Sequence, residues 1–404
     1  MPLAVLRQHV VSLLCYALRL PFACFNLVER WLRRRAWREP RRIVLIKPCC
    51  LGDLLMTTPL LEVLRAAYPQ AHITYVAGSW SKVVPEHHPA VDTVLDCGTV
   101  GIPGRYRFSE YLRLARFLRR QRFDLALVLD RSPMLTLLPW LAGIPRRVGP
   151  DSLGRGFALT DRVPAPVSPT TLRHQAELYL DLARALGLPL PRVHMRFVPT
   201  SEERLQARAL LSSRAGGDDE PRLQVALLPG GGSNPGMTLT AKRWPVERYR
   251  ELARRLIKEL DARVLLVGGP EDRALNEEVM AGLTAPPTRL LNLAGQTSFG
   301  ELAAIFEQCA LFIGNDSSPM HLATAVGIPV IALFGPTSPE EYGPYPLDEA
   351  HHVALWQHPR GEPCFFLGRM RACQECTCMQ ALTVEMVWQA VRQLLPSPER
   401  GGIR

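Results

Sequence analysis

The chain has 404 residues, a formal net charge of +10, 47% hydrophobic and 21% charged residues. That balance excludes a disordered or fibrous chain, and the length suits two domains of roughly 100–200 residues each. Arginine dominates the positive set, and its planar fork suits phosphate, carboxylate or anionic lipid. Beyond the first 42 residues there is no basic tract interleaved with aromatics, and no nucleic-acid-binding motif occurs, so nucleic acid is not an expected partner.

Val10 to Val28 is largely apolar and about as long as a membrane span, but Arg19 and Pro21 interrupt it. A basic run follows, from Arg30 through Arg33, Arg34, Arg35, Arg38 and Arg41 to Arg42, with Trp31 and Trp37 among the arginines. Positive charge after the apolar stretch and the lack of a small-residue cleavage site argue against a signal peptide. Three readings stand: a single span, an interfacial amphipathic helix on anionic headgroups, and a helix packed on the protein. The interfacial helix is preferred. A span would leave the body of the chain in the cytoplasm.

Strand and helix signals then alternate. Ile43–Lys47, Ile73–Ala77, Thr93–Leu95 and Leu125–Asp130 read as strands, and Leu54–Ala67, Tyr111–Gln121 and His174–Leu186 as helices. Ser201–Ser212 reads as a helix capped by Ser201, and the Gly-rich Ala215–Pro221 as the interdomain linker. The second series has strands at Val225–Leu228, Val264–Val267, Leu311–Ile313 and Val330–Phe334. Its helices are Pro245–Leu260, Leu302–Phe306 and Pro319–Val326. The expected organisation is an extension (1–40), a Rossmann-like acceptor domain (41–214), a Rossmann-like donor domain (215–395) and a tail (396–404). Alternating strands and helices imply two doubly wound α/β domains, with ligand bound in a cleft at the C-terminal ends of the strands.

Four strand-to-helix junctions carry chemistry. In Pro48 to Asp53, Asp53 is either a general base for an acceptor hydroxyl or a helix N-cap. Gly230-Gly231-Gly232-Ser233, followed by Lys242-Arg243-Trp244-Pro245, reads as a phosphate loop whose Lys242 neutralises a departing diphosphate. It is neither a dinucleotide fingerprint nor a Walker loop. Gly314 to His321 gathers Asp316, Ser317, Ser318, Met320 and His321 at a helix start, as candidate donor contacts. Gly268-Gly269-Pro270-Glu271-Asp272 offers Glu271 or Asp272 to ribose hydroxyls, or is only a turn. Arg105, Arg107, Arg131 and Arg147 are candidates for holding an anionic acceptor, or are ordinary solvated arginines. No D-x-D pair occurs, which favours diphosphate stabilisation by lysine and helix dipoles without a metal, and no cofactor is expected.

Ten cysteines are present. Cys15, Cys24, Cys49, Cys50, Cys97 and Cys309 read as buried reduced thiols. Cys364, Cys373, Cys376 and Cys378 read as reduced thiols, a structural zinc or iron–sulfur site, or disulfides.

Together these motifs resemble the heptosyltransferases, glycosyltransferase family 9 of lipopolysaccharide core biosynthesis, from about Arg42 to Leu395. The resemblance rests on Leu51-Gly52-Asp53 with Thr57-Thr58-Pro59, and on Ala142 to Pro145 with Arg147-Val148-Gly149. It rests further on Lys242 to Pro245, on Gly314 to Ala323 and on Phe334 to Thr337. Ser318 stands where that family usually has glycine, Cys49-Cys50 replaces a commonly polar pair, and the arginine-rich segment precedes the usual first strand. The resemblance implies a GT-B fold and inverting, metal-independent transfer, usually from ADP-heptose. It implies Asp53 as base, Lys242 as phosphate ligand, and Gly230 to Ser233, Asp316, Ser317, Ser318 and His321 around the donor, with Glu271 or Asp272 near the ribose. The expected partners are a nucleotide sugar, a glycan or glycolipid acceptor and an anionic membrane surface, at the cytoplasmic face of the inner membrane. The rival readings are a sugar-nucleotide epimerase or hydrolase on the same fold, and a non-enzymatic membrane-attached scaffold.

Overall fold

The computed structural model describes residues 3–32, 39–102, 104–214, 223–234, 237–357, 362–366, 369–370 and 377–395. The expected linker at Ala215–Pro221 and the tail at 396–404 lie outside the described residues, as do Cys373 and Cys376.

The chain forms two compact units, Met1–Val193 and His194–Arg404. The first opens with helix α1 (Leu3–Leu32). It continues with β1 (Arg42–Ile46), α2 (Leu51–Ala67), β2 (His72–Ala77), α3 (Val83–Glu86), β3 (Thr93–Asp96), α4 (Phe108–Gln121) and β4 (Leu125–Val128). It ends with α5 (Pro133–Leu141), β5 (Arg146–Asp151), β6 (Asp161–Pro164) and α6 (Gln175–Ala185). The sheet order is β3-β2-β1-β4-β5-β6, every pair parallel. Ile43, Val44, Leu45 and Ile46 are fully buried because β1 has a strand on each edge and helices over both faces. In α2, Pro59 cannot donate to the Leu55 carbonyl, and the Thr58 hydroxyl fills that vacancy at 2.6 Å.

The second unit begins with α7 (Ser201–Ser212), β7 (Leu223–Leu228) and a short antiparallel pair, β8 (Ser233–Asn234) and β9 (Met237–Thr238). It continues with α8 (Val246–Leu260), β10 (Ala262–Leu266), α9 (Arg273–Met280), β11 (Leu290–Asn292), α10 (Phe299–Phe306), β12 (Leu311–Asn315) and α11 (Ser318–Val326). The last elements are β13 (Val330–Phe334), α12 (Pro339–Tyr342), β14 (His352–Trp356), α13 (Thr377–Ala381) and α14 (Val384–Leu394). Its parallel sheet, β11-β10-β7-β12-β13-β14, repeats the strand order of the first. On α8, Tyr249, Leu252, Ala253 and Leu256 recur at helical spacing and are buried, while every exposed residue is charged.

Two sequence expectations are corrected here. The division between units falls at Val193, not after residue 214. The cause is α7, which packs on α10, and Phe197, whose N–H donates to Ala325 O at 3.2 Å and whose ring meets Phe299 edge-on. The α7 cap is Thr200, not Ser201: its hydroxyl accepts from Glu203 N–H at 3.2 Å, and Glu203 Oε2 accepts from Thr200 N–H at 2.7 Å.

Candidate active site

In each sheet the strand order reverses beside the first strand, between β1 and β4 and between β7 and β12. Such switch points are where doubly wound sheets bind ligands, and the candidate residues collect at both.

In the second unit the β7 strand runs into the glycine loop. The buried Asn315 at the end of β12 holds that loop: its amide donates to the carbonyls of Leu228, Pro229 and Gly230 at 3.3, 3.0 and 3.0 Å. Its oxygen accepts from Trp244 N–H at 3.1 Å and from Tyr249 OH at 3.0 Å. One side chain therefore ties the glycine loop to the Lys242 to Pro245 segment. Gly231 and Gly232 have φ of +81° and +76°, a region that favours glycine. Their N–H groups donate to Asp272 Oδ1 at 3.2 Å and to Ser317 Oγ at 3.3 Å. A Cβ on Gly230 would collide with Asp272 Oδ1.

Lys242 ends a 3-10 turn, Thr240–Lys242. Its Nζ lies 2.6 Å from Asp316 Oδ2, which also accepts from Thr337 Oγ1 at 2.6 Å. His321 Nε2 is 4.0 Å from Asp316 Oδ1. Burial alone would raise the Asp316 carboxyl, but Lys242, His321 and the Lys242 and Thr337 hydrogen bonds outweigh it and hold it below its ordinary value. Ser317 occupies the N-cap position of α11 without capping it, because its hydroxyl turns to the glycine loop.

In the first unit Asp53 is the third residue of α2, and the cap position belongs to Cys50, so the N-cap reading of Asp53 does not hold. Lys47, just past β1, is buried with Nζ 3.1 Å from Asp53 Oδ2 and 3.3 Å from Asp130 Oδ2. Desolvation opposes its charge, but Tyr179, Asp53 and Asp130 raise it well above its ordinary value. Asp53 itself keeps about a third of its side chain exposed (35%).

The family model described as glycosyltransferase family 9 (heptosyltransferase) matches residues 111–366. The chain belongs to glycosyltransferase family 9. It is 32% identical over 314 residues to lipopolysaccharide heptosyltransferase 2 of Escherichia coli K12, covering 74% of this chain and 84% of that protein. Identity to lipopolysaccharide heptosyltransferase 2 of Salmonella typhimurium is 31% over 309 residues, with the same coverage. Among solved structures, E. coli ADP-heptose lipopolysaccharide heptosyltransferase II matches with a TM-score of 0.69 at 27% identity, over 87% of this chain and 98% of that one. A family 9 glycosyl transferase from Veillonella parvula gives 0.72 at 27%, over 88% and 98%. The chain is thus a glycosyltransferase of the GT-B fold.

Several residues of this glycosyltransferase stand differently from their sequence reading. Asp272 is buried; its carboxylate accepts from Gly231 and Gly269 N–H, and burial pushes it above its ordinary value. It fastens two glycine loops and is not presented to a ribose, whereas Glu271 is exposed. Met320 is wholly buried and packs inside, so it is no donor contact. Asp316 and His321 are buried, and Asp316 is engaged with Lys242 and Thr337 instead of offering both oxygens to a sugar. Ser318 opens α11 half-buried, and Ser233 hydroxyl meets Thr238 Oγ1 at 3.2 Å.

Arg147 is a buried structural arginine. It donates from Nε to Ala158 O at 3.0 Å, from NH1 to Ile144 O at 2.6 Å, and from NH2 to Asn26 Oδ1 at 2.6 Å. It has no group left to present to an acceptor. Arg131 NH1 donates to Pro166 O at 2.9 Å; Arg105 and Arg107 are exposed. Cys49 and Cys50 are joined by a disulfide, not held as separate thiols, and Cys24 is exposed. Cys364 is half-buried and Cys378 buried; among the described residues no group of three or more His, Cys, Asp or Glu is placed to hold a metal.

The sequence reading gave no individual role to Lys47, Asp130, Arg243, Asn315 or Thr337. Arg243 Nε donates to Gly231 O at 3.2 Å, and its NH2 lies 3.5 Å from Asp272 Oδ1, which puts a second cation beside the loop. A lysine ending an apolar strand was the available signal for Lys47, and a threonine after Phe334-Gly335-Pro336 for Thr337.

Proposed function

We propose that the enzyme transfers a heptose from ADP-heptose to a sugar hydroxyl of a lipopolysaccharide-core acceptor, with inversion and without a metal. The observation that carries this is the Lys242–Asp316–Thr337 cluster beside the start of α11, at the switch point of the second sheet. It is a buried anchor that aims one ammonium at the place where a helix N-terminus favours an anion. The relatives named for lipopolysaccharide heptosyl transfer, and the related structure named for ADP-heptose, support the sugar and nucleotide.

Asp53 Oδ2 is steadied by Lys47, and its other oxygen takes the proton of the acceptor hydroxyl. As that proton leaves, the oxygen attacks the anomeric carbon from the face opposite the diphosphate, the bond to the diphosphate breaks, and the configuration inverts. Lys242 and the α11 dipole stabilise the charge that develops on the departing ADP. Glu271 is the carboxylate left for the ribose. Arg105, Arg107 and the half-buried Arg131 remain as candidate acceptor ligands. No cofactor is needed in this scheme, and a glycolipid acceptor places the enzyme on an anionic membrane, at the cytoplasmic face of the inner membrane.

The test is Asp53→Asn. Transfer to acceptor should fall by about 10³-fold or more, while the heat stabilisation given by ADP-heptose is kept. Near-normal transfer by the variant would remove Asp53 as base. Rapid turnover of ADP-heptose by the wild type without acceptor would instead favour an epimerase or hydrolase.

A further inference from the structure

The two faces of α1 are unlike. Val11, Cys15, Phe22 and Asn26 recur at helical spacing and dock on the first unit, where Cys15 clusters with Phe157 and Ala158. The Phe22 ring meets Trp140 and Phe157 edge-on, at 5.0 and 5.1 Å between centroids. Polar contacts lock the same face: Asn26 Nδ2 donates to Leu159 O at 3.1 Å, Asn26 Oδ1 accepts from Arg147, and Arg19 pairs with Asp151.

Away from these contacts the helix exposes Val10, Leu13, Leu14, Leu18 and Leu20, with Leu13 69% and Leu20 74% exposed. No exposed residue between Val10 and Phe25 is charged. A helix that faced water there would be expected to carry charges, as the exposed face of α8 does. Among the described residues no helix is long and apolar enough to cross a membrane, and α1 gives one side to protein contacts, so lipid can reach only the other.

We propose that the outer face of α1 is an in-plane membrane contact that inserts into the headgroup region of an anionic bilayer. Charge selects this occupant. The sequence following the apolar face holds Arg30, Arg33, Arg34, Arg35 and Arg38, with Trp31 and Trp37, the composition that anionic headgroups attract. A second copy on this face would bring another basic run of the same sign to it. The inference rests on the proposed glycolipid acceptor only for the reason a bilayer is met, and the assay below uses neither donor nor acceptor.

Flotation of the full chain with vesicles of phosphatidylcholine, with and without phosphatidylglycerol, tests it. The protein should float with the anionic vesicles and be released by salt. A Leu13→Glu, Leu14→Glu, Leu20→Glu variant should lose binding about tenfold or more at an unchanged melting temperature. A milder Leu13→Ser, Leu20→Ser pair should lose part of it, which covers failure of the first variant to fold. Wild-type flotation of the glutamate variant, or no capture by either vesicle, overturns the proposal. Concentration-dependent self-association that the variant abolishes, without vesicle binding, assigns the face to a second copy and overturns it too.

Discussion

Asp316 and Asp272 are both buried carboxylates beside the glycine loop, and their environments push them in opposite directions. Asp272 accepts two backbone hydrogen bonds, and its cation, Arg243, is no nearer than 3.5 Å, so desolvation wins. Asp316 has Lys242 at 2.6 Å and a hydroxyl at 2.6 Å, so the ionised form wins. A carboxyl depressed by folding stabilises the native state at pH values above its unfolded pKa, about 3.9, and that contribution is lost as pH falls through the folded value. Asp316→Asn should therefore lower stability by about 3 kcal/mol at neutral pH, because it leaves Lys242 without its counter-charge. The gap between wild type and variant in thermal melts should stay constant from pH 8 to about 5 and close below about 4. A gap that widens on acidification would show that Asp316 is not held ionised by Lys242.

At the scale of elements, Asn315 joins β12 to the β7 loop and to the segment entering α8, and every hydrogen-bonding group of its side chain is used. Asn315→Ala should strand several buried backbone carbonyls and cost about 2–4 kcal/mol. It should also weaken nucleotide-sugar binding, because the glycine loop and Lys242 lose their common tie. Binding that is untouched while stability falls would separate the tie from the site. Elements with a clean period were legible in the sequence: β1, β7 and β13 are short apolar runs, and α8 alternates buried and charged faces at helical spacing. Others were not. Strand β5 reads Arg-Arg-Val-Gly-Pro-Asp, with charge, glycine and proline where a buried strand should be aliphatic, and it is held by pairing with β4 and β6. Helix α5 is apolar all round and contains Pro139, so it shows no amphipathic signal. At the candidate site the types and order of residues were legible, but their partners were not. That Asp272 reaches back to Gly231, or that Arg147 is spent on Asn26, depends on contacts across tens of residues or more that no local pattern encodes.

At the scale of the whole chain, the proposed chemistry is divided between the two units: Lys47, Asp53 and Asp130 belong to the first, and Lys242, Asp316 and the glycine loop to the second. The donor groups lie in one unit, so binding of donor and activation of acceptor should be separable by mutation. A ligand present at 100 times its Kd stabilises the state that binds it by about 2.7 kcal/mol. For a unit of this size, at about 2–4 °C per kcal/mol, that amounts to a rise of roughly 5–11 °C in melting temperature. Two units need not melt in one step, so calorimetry resolves more than a single midpoint. ADP-heptose should raise the transition of the unit that contains Lys242. The shift should persist in Asp53→Asn and disappear in Lys242→Ala, although both variants lose transfer. If Asp53→Asn abolished the shift as fully as Lys242→Ala, the donor would depend on Asp53 for binding, and the division between a base in one unit and a diphosphate site in the other would fail.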